Sequence, residues 1–176
     1  MAIAELLIHL TRTLSQIWSP LNSASCDKSK FKGHFPWRSS FKDALEYAKV
    51  ENRPIMVLIW MDGCPSCAEL IPKISTSAEL VKAATEDFSA VALNEHRDDV
   101  AKFRLDGGYT PRIYFLSPKG EVDQRFYNKW DADPGYKFFY PTVDGILKSM
   151  NEVLKAYPDR CTPSKPCKIH GGKHPK

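Results

Sequence analysis

The pair Cys64-Pro-Ser-Cys67 has the residue types and spacing to do chemistry. Two thiols three positions apart exchange with other disulfides, supply half of a zinc site, or stay closed as a structural disulfide. Asp62-Gly63 precedes the pair as a turn, and Pro65 suits the first position of a helix, which leaves Cys64 at its N-cap. At a helix start the axial dipole and the unpaired amide hydrogens favour negative charge, so a thiolate is stabilised there. On that reading Cys64 is the nucleophile. Cys67, about one turn further on and on the buried side, attacks the mixed disulfide that Cys64 forms. No second Cys-x-x-Cys or well-spaced Cys/His pair occurs in the body of the chain, which argues against zinc.

The elements around the pair are those that could position it. Ser39 or Ser40 caps a helix with Asp43 in its first turn and Phe41, Leu45 and Ala48 on its inner face, and Asn52-Arg53-Pro54 ends it. Ile55-Met-Val-Leu-Ile-Trp60 is apolar without alternation, as in a strand covered on both faces of an α/β sheet. Pro72 should kink the Cys-x-x-Cys helix, a second helix starts at Ser77, and Phe88 to Leu93 forms a parallel strand after a right-handed crossover. A polar stretch, 94–104, leads to Gly107-Gly-Tyr-Thr-Pro111. Arg112-Ile-Tyr-Phe-Leu116 and Glu121-Val-Asp-Gln-Arg-Phe126 flank Ser117-Pro-Lys-Gly120 and read as an antiparallel hairpin. From Thr142 to Tyr157 a last helix carries Val143, Ile146, Leu147, Met150, Val153, Leu154 and Tyr157 on one face, a stripe read as core packing.

The ends of the chain bear on its compartment. At 176 residues the chain is one domain plus tails. Residues 1–25 combine a short apolar run with Ser23-Ala-Ser25, as a signal peptide does. Ile3, Leu7, Leu10 and Leu14 also recur at helical spacing, so an amphipathic helix is the alternative. No run of about 18 apolar residues exists to span a membrane. The domain is placed at 26–157, and 158–176 reads as a basic, flexible tail containing Pro, Lys and Gly, whose deletion should leave the fold intact. Five basic side chains and no acid fall from Arg160 onward, so taking those five from the net +4 leaves residues 1–159 at −1. A nucleic-acid partner is therefore not expected. Cysteines number five, an odd count that includes Cys26, so intramolecular disulfides cannot use them all. Cys161, Cys167, His170 and His174 match no usual structural zinc spacing, and a Cys161–Cys167 disulfide, which needs an oxidising compartment, is the preferred reading.

Several strings are more specific than the cysteine pair: Trp37-Arg-Ser-Ser, Pro54-Ile-Met-Val-Leu-Ile, Asp106-Gly-Gly-Tyr-Thr-Pro-Arg-Ile-Tyr-Phe-Leu, Ser117-Pro-Lys-Gly-Glu-Val and Tyr136-Lys-Phe-Phe-Tyr140. With them the chain, over about Phe31 to Tyr157, resembles the small thioredoxin-fold proteins of the endoplasmic reticulum, the group of thioredoxin domain-containing protein 12 and the anterior gradient proteins. The resemblance implies an α/β, thioredoxin-like fold, a central mixed sheet flanked by helices. It further implies that Cys64 and Cys67 are the active dithiol and that Thr110 and Pro111 bind substrate, Pro111 as a cis-proline facing the dithiol. By composition alone Thr110-Pro111 says little, since only about 5–6% of such bonds are cis. A cleaved signal peptide and a place in the secretory pathway, in the endoplasmic-reticulum lumen or outside the cell, are implied as well.

The expected function is that of a protein-disulfide oxidoreductase of the thioredoxin or protein disulfide isomerase kind, exchanging with cysteine-containing proteins. Glutathione is the candidate redox partner, and no metal or other cofactor is called for. The competing expectation is a secretory client-binding or chaperone-like module, in which the aromatic segment Trp130 to Tyr140 contacts client proteins and the dithiol is incidental.

Overall fold

The structure, a computed structural model, describes residues 31, 33–162, 164–165 and 167. The candidate signal segment, Cys26, His170 and His174 lie outside the described residues. Element order is β1 (Trp37–Arg38), α1 (Phe41–Glu51), β2 (Ile55–Trp60), α2 (Pro65–Thr76), α3 (Ala78–Asp87), β3 (Ser89–Asn94), β4 (Arg112–Leu116) and α4 (Val143–Ala156), with a 3₁₀ turn at Ala101–Phe103. The sheet order is β1-β3-β2-β4. β1 and β2 run parallel to β3, and β4 is antiparallel to β2, so the sheet is mixed as expected.

All six residues of β2 are buried. Its side chains divide by alternation, Met56, Leu58 and Trp60 into one apolar cluster and Ile55, Val57 and Ile59 into the other. The first cluster joins β2 to Leu70 and Ile74 of α2, Leu80 of α3, and Ile146, Met150 and Val153 of α4. Ala44 and Ala48 of α1 complete the second, with Phe103 and Tyr114. Helices thus cover both faces, which is why β2 carries no polar residue.

Local chemistry sets the helix limits. Ser40 caps α1, its Oγ accepting from the Asp43 amide at 3.1 Å, while the Asp43 carboxylate accepts from the Ser39 amide at 3.0 Å. Asn52, with φ 48°, ends the helix in the left-handed region. Thr142 caps α4 by accepting from the Gly145 amide at 3.1 Å, and Ser77 caps α3 by accepting from the Leu80 amide at 3.3 Å. α2 continues through Pro72 to Thr76.

Two expectations are corrected. The hairpin's second arm is not a strand: β4 meets it in a single bridge, Leu116 to Val122. The chain turns away at Asp123, whose carboxylate accepts from the Arg125 amide at 3.2 Å and from its guanidinium at 2.6 and 2.8 Å. Those bonds hold the Asp123 carboxyl below its usual range and favour a local turn over further pairing. The Phe138 carbonyl instead accepts from Ile113 of β4 at 2.8 Å.

The boundary after Tyr157 moves as well. Cys161 is buried, and its amide donates to the Glu51 carbonyl at 2.9 Å. Its carbonyl accepts from Arg53 Nε at 3.0 Å, the Asp159 carbonyl accepts from Asn52, and Arg160 pairs with Asp87 at 2.7 Å. Cys161 and Cys167 form a disulfide, as preferred from the sequence. The docking has no apolar periodicity because it is made through hydrogen bonds to main-chain groups and an ion pair. Ending the chain after Tyr157 would leave the buried Arg53 guanidinium without one of its acceptors, a loss of about 1–3 kcal/mol. At about 2–4 °C per kcal/mol for this size, truncation should lower the melting temperature by about 2–12 °C in a thermal unfolding scan. An unchanged melting temperature would show that this docking contributes nothing to stability.

Candidate functional site

β2 delivers the chain to the site through a tight corner. Gly63 has φ 75°, a left-handed conformation that a side chain disfavours even though a Cβ there would meet nothing within 4 Å. Asp62 on the same corner is ion-paired with Arg97. Cys64 then takes the N-cap of α2 in extended conformation, with Pro65 next. The Cys67 amide donates to Cys64 Sγ at 3.1 Å, so the sulfur does the work that a serine or aspartate oxygen does at other helix starts. The two cysteines form a disulfide with Cα atoms 5.2 Å apart.

Cys64 is 6% exposed and Cys67 2%, so both sulfurs sit below the surface and differ less in access than their positions suggest. Approach to Cys64 is through the exposed residues Gly63, Pro65 and Ser66. Beside the pair lies an apolar hollow of about 420 Å³ whose lining includes Trp60, Met61, Ile71 and Pro72. Thr110 faces it from the other strand end: its carbonyl oxygen is 3.5 Å from Cys64 Sγ, and the Thr110–Pro111 peptide bond is cis. All four residues singled out in the sequence therefore meet in one place.

Sequence reasoning missed a set of charged residues behind that place. Arg112, wholly buried, pairs with Glu95 at 2.6 Å, and Glu95 also holds Arg104 at 2.7 Å. Arg112 Nη1 donates to the Tyr109 carbonyl, and Tyr109 donates its hydroxyl to Asp106 at 2.5 Å while accepting from the Phe138 amide at 3.0 Å. Burial, followed by the bond to Asp106, pushes the Tyr109 hydroxyl well above its ordinary pKa, so it stays a neutral donor. Burial also raises Tyr114, to about 12. An arginine at the head of an otherwise apolar strand was the available signal for Arg112. Glu95 had none.

Among the described residues no group of three or more His, Cys, Asp or Glu is placed to hold a metal ion, and no helix is long and apolar enough to cross a membrane. The exposed members of the aromatic segment are Trp130 and Tyr136, whereas Phe138 and Tyr140 are buried in the core.

A family model described as thioredoxin-like matches residues 36–118. The solution structure of a thioredoxin from Thermus thermophilus superposes with a TM-score of 0.50 at 18% identity, covering 68% of this chain and 87% of that one. The fold is thioredoxin-like. Similar curated proteins are anterior gradient proteins, the group that the sequence strings resemble. Anterior gradient protein 3 of Xenopus tropicalis is 29% identical over 122 residues, 67% of this chain and 71% of its own length. The anterior gradient protein 2 homolog of Homo sapiens is 29% identical over 125 residues, 68% of this chain and 66% of its own. Anterior gradient protein 3 of Mus musculus is 27% identical over 97 residues, 53% of this chain and 58% of its own. The match thus spans less than two thirds of the human and mouse proteins. A thioredoxin-like fold with a cysteine pair at disulfide distance on a helix start supports a redox role.

Peptide mapping of the oxidised protein should recover Cys64 joined to Cys67 and Cys161 joined to Cys167. Cys64 joined mainly to any other cysteine would contradict the site described.

Proposed function

We propose that the protein is a thiol-disulfide oxidoreductase acting on protein cysteines through Cys64 and Cys67. The observation that carries this reading is the Cys67 amide directed at Cys64 Sγ, because the same donor can hold a negative sulfur during exchange. In the reductive direction the Cys64 thiolate attacks one sulfur of a substrate disulfide. That bond breaks, and the distal substrate sulfur leaves as a thiolate. Cys67 loses its proton and attacks Cys64 Sγ, closing the protein disulfide and releasing the second substrate thiolate. The substrate gains two electrons, and the dithiol loses two. Run backward, the steps insert a disulfide into a substrate.

Thr110 and Pro111 are assigned to substrate, since the Thr110 carbonyl adjoins the attacking sulfur. Glutathione is proposed as the small thiol that resets the pair. The compartment is proposed to be the secretory pathway, where a second disulfide at Cys161 and Cys167 persists. The client-binding alternative draws on the exposed rings of Trp130 and Tyr136, which are 41% and 48% accessible. It does not account for the cysteine geometry.

In Cys67→Ser, attack by Cys64 survives without resolution, so mixed disulfides with substrate proteins or glutathione should accumulate. Cys64→Ser should trap far less. Non-reducing gels with mass spectrometry, in a Cys26→Ser background, read the difference. Equal trapping by both variants, or no exchange by the parent protein, would replace catalysis with client binding.

A further inference from the structure

The ion pair behind the site is placed to do more than fill the core. The β2–β4 register ends with Ile59 opposite Arg112, and on the other side of β2 the Glu95 amide donates to the Trp60 carbonyl at 2.8 Å. Glu95 and Arg112 thus flank the last two residues of β2, the strand that leads into Cys64, and their side chains join at 2.6 Å. From that anchor Arg112 Nη1 reaches the Tyr109 carbonyl, the peptide group immediately before Thr110. Tyr109 is fixed at its other end by Asp106 and the Phe138 amide.

We propose that Arg112 and Glu95 are positioning residues, a buried tether that ties the Tyr109–Thr110 backbone to the end of β2 and so fixes the distance between Cys64 Sγ and the edge against which a peptide substrate lies. The proposal rests on the oxidoreductase reading. Arg112 is 0% exposed and touches no substrate, so its effect passes through the loop. A guanidinium is needed because it donates to Glu95 through one nitrogen and to Tyr109 through another, in one plane. An ammonium keeps the charge and the pairing with Glu95 but lacks the second arm.

Arg112→Lys is therefore the informative variant. Its kcat/KM for a disulfide-containing protein substrate should fall by up to about a hundredfold, the size of effect expected when a reacting geometry is loosened by about 1 Å. The rate at which dithiothreitol, which presents no peptide backbone, reduces the Cys64–Cys67 disulfide should stay within about twofold of the parent. Amide hydrogen exchange over 106–110 should quicken, with the helices unchanged. If Arg112→Lys fails to fold, Glu95→Gln, which keeps the shape but removes the charge orienting the guanidinium, should show the same split. Equal losses toward protein and dithiothreitol would reduce the pair to a structural role and overturn the proposal, as would unchanged exchange in the loop. A parent protein inactive on protein disulfides would instead defeat the oxidoreductase reading and the substrate part of the proposal with it, whereas the hydrogen-exchange result judges the tether independently.

Discussion

The burial of β2 on both faces is the constraint on which the other elements depend. A strand without water on either side must have its peptide groups bonded by neighbours, and parallel β3 and antiparallel β4 provide those bonds along its length. A slip of one residue would turn Met56, Leu58 and Trp60 to the wrong cluster, so the register is strongly held. The corner carrying Cys64 leaves one end of that strand, and β4 begins beside the same end directly after Pro111. Two loops far apart in the chain meet at the sulfur because one strand positions both.

The same strand separates the two disulfides. Cys64 and Cys67 follow its C-terminal end, whereas Cys161 docks on Glu51 and Arg53, just ahead of its first residue. Six residues of extended chain span about 20 Å. The pairs therefore cannot exchange with one another inside the folded domain, and each experiences its own surroundings. One adjoins the exposed corner at Gly63, and the other clasps the chain after α4 to the ends of α1 and α3 through Asn52, Arg53 and Asp87.

Much of this was legible from local patterns. The unbroken apolar run of β2, the Ser40 and Ser77 caps, Pro65 at the first helical position and the stripe on α4 each follow from short-range rules, and each stands where those rules put it. Three features escaped, one through local side-chain bonds that override a strand pattern and two through contacts distant in sequence. Val122 lost its strand to side-chain bonds around Asp123. Cys161 is held by the carbonyl of Glu51 and the side chain of Arg53, more than a hundred residues earlier. Glu95 looks like any solvated acid in a polar stretch, and only its meeting with Arg112 across the end of β2 explains its burial. Pairings of that kind leave no periodicity to read.

The bond from the Cys67 amide to Cys64 Sγ also makes the site observable from within. The acceptor is a neutral disulfide sulfur in the oxidised protein and becomes a thiol or thiolate on reduction. An amide proton's magnetic shielding responds to the charge of the atom it faces. The Cys67 resonance in a proton–nitrogen correlation spectrum should thus move more on reduction than that of Ala68, whose amide donates to the Cys64 carbonyl at 3.0 Å. A larger displacement at Ala68 would show that the sulfur's charge is not felt along this bond. The protein thereby carries a native spectroscopic reporter of its own oxidation state, with no added dye or label.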